Sequence, residues 1–323
     1  MKTYLVTGGY GFIGSNYINY ILNSREDIRI VNLDCLNYCS SLDNITYQES
    51  IDDQFKKYIF VEGNITDKDI VSHVLETYNV SVIIHFAAQS HVDNSFNNSL
   101  QYTIDNVYGT HVLLNCSYKY GRIERFIHFS TDEVYGEVDI NHSGCNETSL
   151  LNPTNPYAAT KAAAEFIVRS YYYSFKLPVI IVRCNNVYGY NQYPEKLIPR
   201  FIKLLQLGKK LTIQGNGSTR RNFIWVDDVA KATEIITENG LINNIYNIGT
   251  STQEYSVLDI ASILVHKIKG PQEQIDDFIE YVSDRPFNDF RYHLDCTKLK
   301  ELGWEPEFNN FSDNIDLLIN HSL

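Results

Sequence analysis

Apolar residues along this chain come in short, nearly continuous runs separated by stretches of helical spacing. The runs at 4–7, 28–33, 58–61, 80–86, 125–129 and 178–182 are strand-length and apolar throughout, as strands covered on both faces are. Between them, apolar positions recur every three to four residues at 14–23, 70–78, 106–120 and 157–175, which predicts amphipathic helices. Such alternation of strand and helix predicts an α/β fold built on a doubly wound parallel sheet.

After Asn185 the pattern loosens. Helices are predicted at 197–207, 226–237 and 257–269, and short strands at 211–214, 223–225 and 244–248. No repeat, low-complexity tract or linker divides the chain, so a second, smaller lobe is expected to be interleaved with the first.

The first strand leads directly into Gly8-x-x-Gly11-x-x-Gly14 and then a helix. In that context the first glycine makes a tight turn, the second admits a pyrophosphate to the backbone, and the third lets helix and strand pack closely. The free N–H groups of the helix start then face an anion. Asp34 closes the second strand about twenty residues beyond Gly14, where a carboxylate accepts from an adenosine ribose and repels a 2′-phosphate. These features predict a Rossmann-type dinucleotide site that prefers NAD to NADP.

Two further clusters carry candidate chemistry. Tyr157 and Lys161 stand at i and i+4, on one face of a helix entered through Asn155-Pro156. A nearby ammonium favours a phenolate, so Tyr157 reads as a base. With 24 tyrosines in the chain, that spacing also arises by chance, and the location gives it weight. Ser130-Thr131-Asp132-Glu133-Val134-Tyr135-Gly136 follows the strand 125–129, at the carboxyl end where ligands of open α/β sheets sit. Two adjacent acids there are either an acid–base pair or a capped, solvated turn.

Composition narrows the partners. The net charge is −12 and no Lys/Arg-rich run occurs, which argues against nucleic acid. An acidic chain binds an anionic ligand only through locally placed donors. Six scattered cysteines without a CxxC pair read as reduced thiols of a cytoplasmic protein. Nine histidines form no HExxH motif, so no metal site is expected. The first residues run straight into a strand, as in a chain without a secretory leader, and no apolar run reaches membrane-spanning length.

Taken in order, these clusters resemble the extended short-chain dehydrogenase/reductase superfamily, and within it the sugar-nucleotide 4,6-dehydratases. The string Ser130–Gly136 carries the resemblance, with His85-Phe86-Ala87-Ala88-Gln89-Ser90-His91-Val92-Asp93, Asn185-Asn186-Val187-Tyr188-Gly189, Pro194-Glu195-Lys196-Leu197-Ile198-Pro199 and Arg285-Pro286-Phe287-Asn288-Asp289. Leu36-Asn37-Tyr38-Cys39-Ser40-Ser41-Leu42 and Asn94-Ser95-Phe96 bring it nearest to the dehydratase portion of plant-type UDP-rhamnose synthases, with the bacterial dTDP-glucose enzymes next. Asn64 departs from the family's usual Asp, and Tyr190 from its usual proline.

The resemblance implies the following. Residues 1–185, with returning segments about 223–250, form the NAD-binding domain, and 186–323 mainly a substrate lobe. NAD is held by Gly8, Gly11, Phe12, Ile13, Gly14, Asp34, Asn64, Ile65, Ala87, Asn106, Tyr157 and Lys161. Thr131, Asp132, Glu133, Tyr157 and Lys161 are catalytic, with Lys161 holding the Tyr157 pKa down. The nucleotide sugar meets His91, Asn186, Glu195, Lys196, Arg221, Asn247 and Arg285, the two arginines suiting a diphosphate. UDP-glucose is the expected substrate, with dTDP-glucose second, and a homodimer is expected through the helices 106–120 and 157–175. The alternatives are a UDP-sugar 4-epimerase or decarboxylase on the same scaffold, which has no need of Asp132-Glu133, and a non-catalytic dinucleotide sensor, which typically lacks Tyr/Lys or Thr.

Overall fold

The computed structural model describes residues 1–48, 56–250 and 253–321. Strand β1 (Lys2–Thr7) enters helix α1 (Phe12–Ser24), followed by β2 (Ile28–Asp34), β3 (Tyr58–Glu62), α2 (Lys68–Thr77) and β4 (Val82–His85). Two short helices, α3 (Val92–Asn97) and α4 (Ser99–Tyr102), precede a π-turn at Thr103–Tyr108 and then α5 (Gly109–Tyr120). Next come β5 (Arg125–Thr131), a 3₁₀ turn at Asp132–Tyr135, α6 (Pro156–Phe175) and β6 (Val179–Cys184).

These strands form a parallel sheet in the order β3-β2-β1-β4-β5-β6, and a later strand, β10 (Ile245–Ile248), extends it beyond β6. The order reverses between β1 and β4, which places a crevice at their carboxyl ends. One sheet face buries Tyr17, Ile18 and Ile21 of α1 with Val229, Ala232 and Ile236 of α8 (Val226–Asn239). The other buries Val71 and Val74 of α2, Leu113 and Leu114 of α5, and Val168 and Tyr171 of α6. The apolar strands therefore have both faces covered, as their composition requires.

The remaining chain builds a second core around Phe201 and Leu205 of α7 (Leu197–Gln206), Trp225, and Ile260 and Leu264 of α9 (Val257–Ile268). Two small sheets accompany it. One pairs β9 (Arg220–Trp225) with β7 (Asn186–Tyr188) and β11 (Glu254–Ser256), and the other pairs β8 (Leu211–Gln214) with β12 (Ile279–Val282). Among the described residues no helix is long and apolar enough to cross a membrane.

One predicted element differs. The helix expected to run unbroken over 106–120 opens instead with the π-turn, and α5 begins at Gly109. The wider turn carries Asn106 inward, 1% exposed, and Gly109 packs so tightly on Ile65 that a Cβ would lie 2.7 Å from its Cδ1.

Candidate active site

At Gly8 and Gly14 the glycine loop has no room for a side chain. Gly8 takes φ +71°, and a Cβ there would come within 2.8 Å of the Ala87 Cα, while one on Gly14 would lie 2.3 Å from the Gly8 carbonyl oxygen. Gly11 is the N-cap of α1 and no side chain caps that end. Gly11, Phe12, Ile13 and Gly14 line a cleft of about 770 Å³, with free amides of the helix start available to an anion. Asp34 also lines it. Its carboxylate accepts from the backbone N–H of Tyr10 at 2.9 Å and of Leu36 at 2.8 Å, and from Ser40 Oγ at 3.2 Å. Asn64, Ile65 and Ala87 complete this end, the Asn64 oxygen accepting from the backbone and hydroxyl of Thr66 at 2.9 Å. The pieces fit a dinucleotide: a turn packed too closely at Gly8 and Gly14 for side chains, an uncapped helix start and a buried carboxylate.

Thr131, Asp132, Glu133, Tyr157 and Lys161 line the same cleft farther along. Thr131 caps the 3₁₀ turn by accepting from the Glu133 N–H at 3.3 Å, and its hydroxyl donates to Asp132 Oδ1 at 3.2 Å. Asp132 is 2% exposed, and burial, with the neighbouring Glu133 carboxylate, raises its pKa to about 7. Burial also raises Glu133, opposed by a hydrogen bond from Asn155 Nδ2 at 2.9 Å and by Arg221 and Lys196. Helix α6 starts here because Asn155 Oδ1 accepts from the Ala158 N–H at 2.9 Å and Pro156 follows it.

Lys161 differs from expectation. Its ammonium donates to the Phe129 carbonyl, and burial lowers its pKa to about 8, with Glu165 opposing. Tyr157 is not held down in the protein alone. Burial pushes its phenol well above the ordinary range and the Glu133 carboxylate adds to this, while the Thr131 hydroxyl opposes. A ligand bringing positive charge into the cleft is needed to reverse that.

A second cavity of about 210 Å³ adjoins the first, and Ser90, Glu133, Asn186, Glu195 and Lys196 line both. His91, Arg221 and Arg285 also line it, so six of the seven residues expected to meet a sugar nucleotide converge. Burial lowers the pKa of Lys196, and that of His91 with Lys196 adding to the effect. Arg221 lies over the Tyr292 ring at 4.5 Å and donates to the Asp289 carbonyl at 2.9 Å, which fixes its guanidinium. Arg285 pairs with Asp93 at 3.2 Å.

Two expected contacts are corrected. Asn247 lines neither cavity. It is fully buried on β10, its oxygen accepting from Tyr135 OH at 2.8 Å and its amide donating to the Cys145 and Asp295 carbonyls at 2.9 Å. Asn106 is likewise withdrawn from the cleft. It binds the backbone of Gln89 at 2.7 and 3.1 Å and Thr160 Oγ1 at 3.0 Å, so it braces the end of β4 against α6. Arg200, Asp289 and Asn155 line the second cavity without having been expected there. Asn155 had a readable signal, an Asn-Pro at a helix start, and Asp289 closes the string 285–289, whereas Arg200 had none.

The GDP-mannose 4,6 dehydratase family model matches residues 5–315. A trifunctional UDP-glucose 4,6-dehydratase/UDP-4-keto-6-deoxy-D-glucose 3,5-epimerase/UDP-4-keto-L-rhamnose-reductase of Arabidopsis thaliana is 51% identical over 304 residues. That match covers 94% of this chain but 45% of the plant protein, so the chain spans about half the length of that relative. A dTDP-D-glucose 4,6-dehydratase of Mus musculus is 46% identical over 309 residues, covering 95% of this chain and 84% of the mouse protein. Among solved structures, a dTDP-glucose 4,6-dehydratase of Streptomyces venezuelae with NAD bound superposes with a TM-score of 0.90 at 35% identity, over 98% of this chain and 96% of that one.

The raised pKa of Asp132 has a consequence for stability. The folded state disfavours its ionised form, so folding loses stability as pH rises from the ordinary carboxylate range to about 7 and stays level above that. Asp132→Asn removes the penalty. It should stabilise the free protein by roughly 4 kcal/mol at about pH 8 and by somewhat under half of that at about pH 5. Thermal unfolding of both proteins at the two pH values checks this, and an equal gain at both would show that the carboxylate is not the cause.

Proposed function

Because the chain belongs to the GDP-mannose 4,6-dehydratase family, we propose that it is an NAD-dependent nucleotide-sugar 4,6-dehydratase acting on UDP-glucose, with dTDP-glucose in second place. The observation that carries the reading is the junction of the two cavities. There a buried acid pair, Asp132 and Glu133, meets Tyr157 and Lys161 beside a group of cations. A 4-epimerase or decarboxylase has no need of the acid pair, and a sensor has no need of Tyr157 and Lys161.

Bound NAD supplies a hydride acceptor and then a hydride donor, and its oxidised ring brings positive charge. Tyr157 takes the proton of the C4 hydroxyl, which Thr131 aligns, and Lys161 keeps the site electropositive. The C4 ketone acidifies C5–H, and Glu133, oriented by Asn155, removes that proton and gives one back to C5 when hydride reaches C6. Asp132, with a pKa near 7, carries the proton that lets the C6 hydroxyl leave as water. Arg221, Arg285 and Lys196 take the diphosphate, with His91, Asn186 and Glu195 around the rest of the substrate. Gly8, Gly11, Phe12, Ile13, Gly14, Asp34, Asn64, Ile65 and Ala87 hold the dinucleotide. Within this reading, residues 1–185 with the returning segments form the NAD lobe and 186–323 mainly the substrate lobe. UDP-glucose stands first because the plant relative is the more similar in sequence. Uracil and thymine differ by one methyl, and such a difference discriminates by roughly 10–200-fold.

The outer faces of α5 and α6 support a homodimer. Tyr118, Phe166, Tyr173 and Phe175 stand 45–61% exposed there, with Tyr108 just before α5 56% exposed, and clustered exposed aromatic residues of this kind mark association surfaces. Light scattering should give twice the mass of the chain, and a monomer at working concentration would remove this assignment. All six thiols are free, which supports a cytoplasmic setting.

Purified protein incubated with UDP-glucose should form a 4-keto-6-deoxy sugar nucleotide with no added reductant. Glu133→Gln should slow this by about 10²–10⁴-fold while reduced nicotinamide and a 4-keto hexose accumulate, seen by near-ultraviolet absorbance. Tyr157→Phe should show no such absorbance. Full dehydratase activity in Glu133→Gln would make the acid pair a structural turn and move the epimerase reading ahead.

A further inference from the structure

Between β7 and α7 the segment 189–196 runs along the rim of the large cleft, and the first lobe grips it at three places. At its start, Asn16 Nδ2 donates to the Tyr190 carbonyl at 2.9 Å. Asn191 Nδ2 donates to Ser15 Oγ at 3.3 Å and to the Asn44 carbonyl at 3.2 Å. Ser15 and Asn16 sit in the opening turns of α1, directly behind the glycine loop. At its end, Lys196 donates to the Ser90 carbonyl at 2.8 Å. In between, the Tyr38 hydroxyl is bonded to both carboxylate oxygens of Glu195 at 3.1 Å and accepts from Asn94 Nδ2 at 3.2 Å, while its ring meets Tyr193 edge-on at 5.5 Å.

The segment also faces the cleft. Gln192, Tyr193, Glu195 and Lys196 line it, and Gln192 Oε1 is buried with no partner. Tyr38 and Asn191 do not line it. Asn191 takes φ 67°, a conformation asparagine accepts and glycine accepts better. Tyr38 and Asn191 thus fasten the segment from outside the cleft that Gln192, Tyr193, Glu195 and Lys196 line, the arrangement of a strap and its catches.

We propose that the segment 189–196 is a strap over the dinucleotide cleft, fastened by Tyr38 and Asn191, which must lift for the cofactor to enter or leave and so keeps it resident through the reaction. The proposal rests on the assignment of the cleft to a dinucleotide. It answers a need of the chemistry assigned above. The hydride taken from C4 must return to C6 of the same sugar, so loss of the reduced cofactor in mid-cycle would strand a 4-keto hexose. Retention has to outlast turnover, and fastening the rim achieves this without tighter contacts to the cofactor.

A rim that gates both entry and exit has a kinetic signature. Loosening a catch raises the population of the lifted form, so association and dissociation quicken by the same factor and Kd stays put. Losing a direct cofactor contact instead raises dissociation alone, and Kd with it. Tyr38→Phe keeps the ring on Tyr193 and removes the hydroxyl, and Asn191→Gly keeps the backbone and removes the amide. The test is stopped-flow binding of etheno-NAD to cofactor-stripped protein, with its displacement by excess NAD. Each variant should raise both rates roughly tenfold, the scale of one hydrogen bond involving a charged or buried group, and leave Kd within about twofold. Rates equal to those of the unmodified protein in both variants would overturn the strap. So would a rise in dissociation alone with Kd rising in parallel. Absence of dinucleotide binding by the unmodified protein would overturn the assignment of the cleft itself, a separate result from either.

Discussion

A single side-chain amide holds the two halves of the reacting centre in register. Asn155 accepts from the first turn of α6 through its oxygen and donates to Glu133 through its nitrogen, both at 2.9 Å. Tyr157 and Lys161 belong to that helix, and Asp132 and Glu133 belong to the turn after β5. Asn155 ties the two pairs directly, alongside the Thr131 hydroxyl on Tyr157 and the packing of Val134 against Ala162. Two further contacts set how α6 lies on the sheet. The Lys161 ammonium reaches the Phe129 carbonyl, and Glu165 forms a buried pair with Arg183 of β6 at 2.6 Å. Glu165 also opposes the fall in Lys161's pKa, so the pair that seats the helix tunes the charge on the face that carries Tyr157 and Lys161.

The site is electrostatically costly. Asp132, Glu133, Tyr157 and Lys161 all have proton affinities displaced toward their neutral forms, with burial as the first cause in each case. Such a centre is poised to exchange protons once a charged ligand enters. The protein as a whole carries a charge of −12, yet Lys196, Arg200, Arg221 and Arg285 are gathered around the second cavity. Local placement, rather than net charge, is what lets an acidic chain present a cationic pocket to an anion.

How much of this was legible in the sequence depends on the length scale of each signal. The parallel sheet was readable because its strands are buried on both faces and therefore apolar throughout. The glycine loop and the Tyr157/Lys161 pair were readable because their spacing is local. The short helices α3 and α4 were not, since Asp93, Asn94, Asn97, Ser99 and Gln101 dilute any apolar period. Nor were β7, β11 and β12, strands of three or four residues that owe their pairing to distant partners, whereas β8 and the end of β9 stood out as short apolar runs. Asn247 and Asn106 show the limit for site residues. Both are asparagines near the carboxyl end of the sheet, and only the fold reveals that their polar atoms are taken up by backbone carbonyls and by Tyr135, Gln89 and Thr160. The catches at Tyr38 and Asn191 join residues more than a hundred positions apart, which no local pattern encodes.

The central claim is that one sugar is oxidised at C4, dehydrated across C5 and C6, and reduced at C6 without exchange of hydride with anything else. The most direct test uses UDP-glucose deuterated at C4 and mixed with unlabelled UDP-glucose, with the product analysed by mass spectrometry and NMR. The account predicts that deuterium moves to C6 of the molecule that carried it, so product molecules hold either one deuterium in the methyl group or none. Deuterium retained at C4 with inverted configuration, scattered among initially unlabelled molecules, or lost to solvent would contradict it.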